Sequence, residues 1–95
     1  MDIISRSPMA IKEVAKAISG KRVIVGAKQL RKALNSGAVC RVFLATDADP
    51  AITEPIMNLC QLHKVTFDWV KSMTELGKAC GIEVGAVAAA TLNSI

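Results

Sequence analysis

The run Gly26-Ala27-Lys28-Gln29-Leu30-Arg31-Lys32 holds residue types suited to gripping an anion. A glycine directly after an apolar run lets the backbone approach a ligand with no Cβ in the way. A helix starting there offers unpaired N–H groups, and the positive end of its dipole favours negative charge. Lys28, Arg31 and Lys32 stand at i, i+3 and i+4 and share one helix face, while Leu30, Ala33 and Leu34 fall on another. Cationic surface and apolar anchor therefore belong to one helix. A plain solvated amphipathic helix has the same pattern, so this run alone leaves both readings open.

A second run with chemical content is Leu76-Gly77-Lys78-Ala79-Cys80-Gly81-Ile82-Glu83-Val84-Gly85. Gly81 and Gly85 frame a short loop centred on Ile82, Glu83 and Val84. An exposed apolar pair between glycines suits a small hydrophobic contact. The alternative is a helix-to-strand turn whose Ile82 and Val84 point inward.

Catalytic constellations are missing. The one histidine, His63, has no serine and aspartate at a spacing that argues a triad. Asp47 and Asp49 form a carboxylate pair, but turn chemistry in Asp47-Ala48-Asp49-Pro50 accounts for them. Neither a P-loop nor a GxGxxG motif occurs. Cys60 and His63 stand at i, i+3, yet a metal site would need two further ligands. No metal and no cofactor are expected. Cys40, Cys60 and Cys80 are odd in number and widely spaced, which fits reduced, mostly buried thiols in a cytosolic protein.

Charge is distributed unevenly. Residues 14–46 carry seven basic side chains and no acid, whereas residues 47–95 carry three basic and six acidic ones. Such asymmetry gives one face a field that attracts polyanions, unless folding intermixes the charges. Nucleic acid is the leading partner, because phosphate contacts supply most non-specific affinity. The aromatics Phe43, Phe67 and Trp69 all lie in apolar runs and read as core. An exposed stacking platform is therefore not expected, and any RNA contact must use backbone, basic, amide and aliphatic groups.

The elements that position these residues follow from periodicity and punctuation. The 95 residues, 52% of them hydrophobic, suit one folded domain. No apolar run reaches the roughly 20 residues that span a bilayer, and residues 1–10 do not resemble a signal peptide. Ser7-Pro8 reads as N-cap and N1 of a first helix with Ile11, Val14, Ala15 and Ile18 at helical spacing, stopped at Gly20. A strand at 22–25 leads into the basic helix at about 27–36. Residues 40–45 read as a buried strand. Asp49-Pro50 suits a helix start, but Pro55 argues for a regular helix beginning nearer Thr53, with Ile52, Ile56, Leu59, Cys60 and His63 inward. His63 itself reads as a helix-end cation or a packing residue. Residues 65–70 alternate as a strand. Ser72-Met73-Thr74-Glu75 is a capping box opening a short helix. Residues 85–92 are ambiguous: alanine favours helix, whereas the alternation of elements favours a closing strand. The order α-β-α-β-α-β-α-β implies a four-stranded sheet with helices on both faces.

Taken together, Val25-Gly26-Ala27-Lys28-Gln29-Leu30-Arg31-Lys32-Ala33-Leu34, Asp47-Ala48-Asp49-Pro50 and the run from Leu76 to Gly85 resemble the kink-turn-binding ribosomal protein family (large-subunit protein seven-Ae and its relatives), most closely its small bacterial members. The resemblance covers about residues 21–92. It implies an α/β fold, a three-layer α/β/α sandwich with a four-stranded mixed sheet, and makes the last segment a strand. It also implies binding to RNA kink-turns, sharply bent helices with tandem sheared G·A pairs. Carried over by position, Gly26 and Ala27 lie at the backbone approach to RNA. Lys28 and Gln29 occupy the positions that read guanine edges, and Lys32 contacts them or nearby phosphate. Ile82, Glu83 and Val84 form the loop that packs on flipped-out nucleotides. Lys28-Gln29 stands where archaeal members carry Asn-Glu. The expectation is a monomeric, cytoplasmic, non-enzymatic RNA-binding protein, with the ribosome as one candidate site of action. The alternatives are a protein–protein interaction module on the same fold and, more remotely, an enzyme using the Gly26 turn as an anion site.

Overall fold

A computed structural model describes residues 8–93. Four helices alternate with four strands: α1 Ile11–Ile18, β1 Val23–Val25, α2 Ala27–Ser36, β2 Val39–Ala45, α3 Pro50–His63, β3 Thr66–Val70, α4 Met73–Ala79 and β4 Ala88–Leu92. The sheet order is β1-β4-β2-β3. Strand β4 runs antiparallel to both β1 and β2, and β2 runs parallel to β3. β1, β2 and β3 therefore point the same way.

The three-layer sandwich follows from the two faces of this mixed sheet. Val14 and Ile18 of α1 and Leu76 of α4 bury themselves with Phe43, Ala45, Val70 and Ala89. Leu30 and Leu34 of α2 and Ile56 and Cys60 of α3 cover Val42, Leu44, Ala88 and Ala90 on the other side. Alternate residues of β2 and β4 thus serve opposite cores, as a strand covered on both faces requires. The ambiguous alanine segment is β4, near the centre of the sheet. Its small side chains leave room for helices on both sides, and this tertiary setting overrides the helical propensity of alanine.

Several boundaries differ from expectation. The first helix begins at Ile11 with Ala10 as N-cap, not at Pro8, and the proposed Ser7 cap lies outside the described residues. Pro8 is followed by an extended Met9, which donates its N–H to the Trp69 carbonyl at 2.8 Å and accepts from the Lys71 N–H at 3.3 Å. This bridge to β3 postpones the helix. The Ala10 N–H then donates to the Glu13 carboxylate at 3.0 Å. Helix α3 does begin at Pro50: Asp49 accepts from the Ala51 N–H at 2.9 Å, and Pro55 lies inside the helix. The Ala51 carbonyl loses its i+4 donor to Pro55, but Ala51 is exposed and water can serve it.

The inward stripe of α3 is Thr53, Ile56 and Cys60, while Ile52 and His63 are exposed. Cys60 is buried and His63 faces solvent, so the two do not form a joint ligand pair. Cys40 is exposed rather than buried, at a register shift between β2 and β4. Burial pushes the Cys60 thiol up to about 11 and raises that of Cys80, so both stay protonated at neutral pH. Phe43 is core as expected. Phe67 and Trp69 pack edge-to-face, 6.3 Å apart, against the α2/α3 core, but on edge strand β3 they are only half buried.

Candidate nucleic-acid interface

Because β1, β2 and β3 run in one direction, the turns after them gather at one end of the sheet, and the chain entering β4 arrives at that same end. Ligands of open α/β sheets favour this carboxyl end.

Gly26 makes the turn from β1 into α2 with φ +110°, a conformation closed to L side chains. Its N–H donates to the Ala88 carbonyl at 3.0 Å, and its carbonyl accepts from the Leu30 N–H at 3.0 Å. The turn is therefore stitched to β4 and simultaneously starts the helix. A Cβ at Gly26 would meet nothing within 4 Å, so the space above this backbone is open. No side chain caps α2, and no acid lies in its first turn. Its leading N–H groups and positive dipole end remain available to an anion. Lys28, Gln29, Arg31 and Lys32 are exposed, Ala27 and Ala33 are half buried, and Leu30 and Leu34 are buried. The division of faces expected from i, i+3, i+4 spacing is the observed one.

The second run folds back along α4. Ser72 caps that helix, accepting from the Glu75 N–H at 3.1 Å. After Gly81 (φ +79°), the Ile82 N–H donates to the Gly77 carbonyl at 3.0 Å and the Ala86 N–H to the Met73 carbonyl at 3.0 Å. The expected exposed apolar pair is only half present. Val84 is 69% exposed, and Glu83 is exposed beside it. Ile82 instead packs against the α1/α4 core. The loop leads into β4, where the Val87 carbonyl accepts from the Ala45 N–H at 3.1 Å and Ala88 meets Gly26. Gly26, Ala27, Lys28 and Gln29 thus share one end of the sheet with the exit of the 81–85 loop.

Three contributors to this end escaped the sequence reading. Asp47 accepts from the Met73 N–H at 2.8 Å, tying the β2–α3 turn to the start of α4. Its carboxylate also suits the positive end of that helix. Gly77 is buried where a Cβ would strike the Val84 carbonyl, so the loop is seated directly on helix backbone. A glycine inside a helical run was the available signal. Lys71, exposed just after β3, adds a cation to the same end. The Asp47 tie joins residues far apart in sequence and had no local signal.

Among the described residues, no cluster of His, Cys, Asp and Glu could hold a metal ion, and no helix is long and apolar enough to cross a membrane. Residues 9–94 match the model of the ribosomal protein L7Ae/L30e/S12e/Gadd45 family. A Bacillus pumilus RNA-binding protein is 46% identical over 77 residues, 81% of this chain and 94% of that protein. The RNA-binding protein YbxF of Geobacillus stearothermophilus is 39% identical over 78 residues, 82% and 95% of the two chains. Among solved structures, the Giardia lamblia 15.5 kD RNA binding protein superposes with a TM-score of 0.74 at 27% identity, over 88% of this chain and 68% of that one.

Proposed function

The chain belongs to the ribosomal protein L7Ae/L30e/S12e/Gadd45 family, and from that premise we propose that it binds structured RNA at a kink-turn, as a monomeric cytoplasmic protein without catalytic activity. The observation that carries this reading is the uncapped, acid-free start of α2 at a glycine turn, on the end of the sheet that the 81–85 loop also feeds. Gly26 and Ala27 admit the RNA backbone. Lysine donors suit guanine O6 and N7, and the Gln29 amide offers both a donor and an acceptor. A kink exposes base edges that an A-form major groove hides. Val84 supplies the aliphatic cover for an extruded base, with Glu83 beside it and Ile82 holding the loop from within. The RNA is a ribosomal RNA, a riboswitch or another structured transcript. Pull-down from cells followed by RNA sequencing identifies it. Recovery of protein partners without RNA would favour the interaction-module reading.

Lys28→Ala and Lys32→Ala are each expected to weaken kink-turn binding while leaving thermal stability nearly unchanged, because exposed positions usually cost within about 0.5 kcal/mol. Where the lysine serves a phosphate, the slope of log affinity against log salt drops by about one. A large fall in melting temperature would make either lysine structural and remove it from the interface.

The loop variants are expected to separate. Val84→Ser weakens RNA binding severalfold by the loss of apolar burial and leaves stability alone. Ile82→Ser costs about 1 kcal/mol of stability, as a truncated packing residue does. Thermal melts beside RNA titrations read both. Unchanged RNA affinity in Val84→Ser would take the loop tip out of the interface.

A further inference from the structure

Along α2, from Gln29 to Ala38 just past the helix, lies an open groove of about 400 Å3 that shares Gln29 and Lys32 with the interface above and extends beyond it. Gln29, Lys32 and Ala33 of α2 form one wall, Ile24 of β1 and Leu92 of β4 form the other, and Ala38 contributes to the floor. The floor is fixed by backbone: the Ala38 N–H donates to the Ala33 carbonyl at 3.1 Å, and the Asn93 N–H to the Ala38 carbonyl at 2.8 Å. β1 is an edge strand, which leaves the Ile24 side of the groove open, and Ile24 and Leu92 are only half buried.

We infer that this groove receives one unpaired nucleotide of the bound RNA, from the strand that leaves the kink along α2. The inference rests on the RNA reading of the α2 start. Continuity supports it, because Gln29 and Lys32 belong both to that reading surface and to the groove wall. Charge supports it too. Lys32 stands on the helix wall, and Arg22, exposed just before β1, brings a second cation next to Leu92, whose N–H donates to the Arg22 carbonyl at 2.9 Å. No acid occurs anywhere in residues 14–46 to oppose a phosphate there. The lining has the right chemistry: four aliphatic side chains cover a base face, and the Gln29 amide meets a base edge as donor or acceptor. The size falls in the range of about 300–1,000 Å3 that holds small ligands. Stacking on an aromatic ring is not available at this edge, since Phe43 is buried and Phe67 and Trp69 sit on β3 at the opposite edge.

An abasic scan tests the assignment. A kink-turn RNA carrying an abasic ribose at each unpaired or stem-flanking position in turn is titrated against the wild-type protein and against Ala33→Leu and Ala38→Val, which fill the groove. Thermal melts confirm that each variant is folded, and Ala38→Val carries the comparison should Ala33→Leu melt early. The expected result is one position where losing the base weakens wild-type binding by about fivefold to tenfold, as burial of part of a base against aliphatic carbon gives. At that position the filled variants bind intact and abasic RNA alike. A scan with no such position, or one whose base counts equally in the filled variants, overturns the groove assignment and leaves the kink-turn reading standing. A wild-type protein that binds no kink-turn RNA overturns both.

Discussion

Replacing the two sheared G·A pairs of a kink-turn by Watson–Crick pairs is expected to cost this protein several kcal/mol of RNA affinity, at about 1–3 kcal/mol for each bidentate hydrogen-bonded pairing with a base that is removed. The reason lies in what α2 presents. Its first turn sets uncapped backbone N–H groups beside the exposed Lys28 and Gln29 side chains on one short stretch, the donors and acceptor that the proposed reading of base edges needs. A regular A-form duplex hides those edges in a narrow major groove. The phosphates of both RNAs carry the same charge, so the basic face attracts them equally, and only hydrogen bonds to base edges tell them apart. Gln29 has one acceptor oxygen where a carboxylate has two, so it satisfies fewer guanine donors, and Lys28 must carry more of the discrimination. Isothermal titration of the two RNAs at one fixed salt concentration makes the measurement. Equal affinities, falling steeply together with salt, would reduce the site to an unspecific basic patch.

Gly77→Ala should lower stability by a net of about 1–2 kcal/mol and weaken RNA binding as well. Alanine in place of glycine inside a helix normally gains about 1 kcal/mol from propensity. Here the new Cβ would strike the Val84 carbonyl and lie 3.2 Å from the Gly85 Cα. Those are backbone atoms, and no rotamer change relieves them, so an overpacking cost of about 1–3 kcal/mol outweighs the gain. The loop can escape only by lifting off α4, which breaks the Ile82 N–H bond to the Gly77 carbonyl and moves Val84. Thermal melting reads the first effect, at roughly 4–8 °C per kcal/mol for a domain of this size, and RNA titration the second. A variant as stable as wild type, with unchanged affinity, would show that the loop is not seated on Gly77.

Much of this architecture was legible in local chemistry. The Gly26 turn, the two faces of α2 and the Ser72 cap are each written in a few adjacent residues, and each formed where it was read. What misled was long-range. Ser7-Pro8 looked like a helix start, but pairing of Met9 with β3 holds the chain extended and delays α1. Pro55 looked like a boundary, but the cap at Asp49 and an exposed Ala51 carry the helix through it. Residues 85–92 have no local signal for a strand, since alanine is chosen there by helices packing on both faces. Ile82 and Val84 look alike in sequence and are sorted by tertiary packing, which sets Ile82 against the α1/α4 core and leaves Val84 exposed.

The position of β4 has a consequence for how the molecule comes together. It follows every other element in the chain, yet it lies between β1 and β2 in the sheet. Until it inserts, β1 has no neighbour, two strand edges stand open, and Gly26 lacks its Ala88 acceptor. Insertion pairs Val23 with Thr91 across most of the sequence, a pairing of high contact order whose loop-closure entropy is met late. Its alanines add little apolar area, so the step is driven by ladder hydrogen bonds on both sides and by the close approach of the helices. The start of α2 and the exit of the 81–85 loop are joined by the same event. A partly folded chain therefore has no complete surface to offer, and an RNA gripped by both parts draws the folding equilibrium toward the closed sheet by mass action.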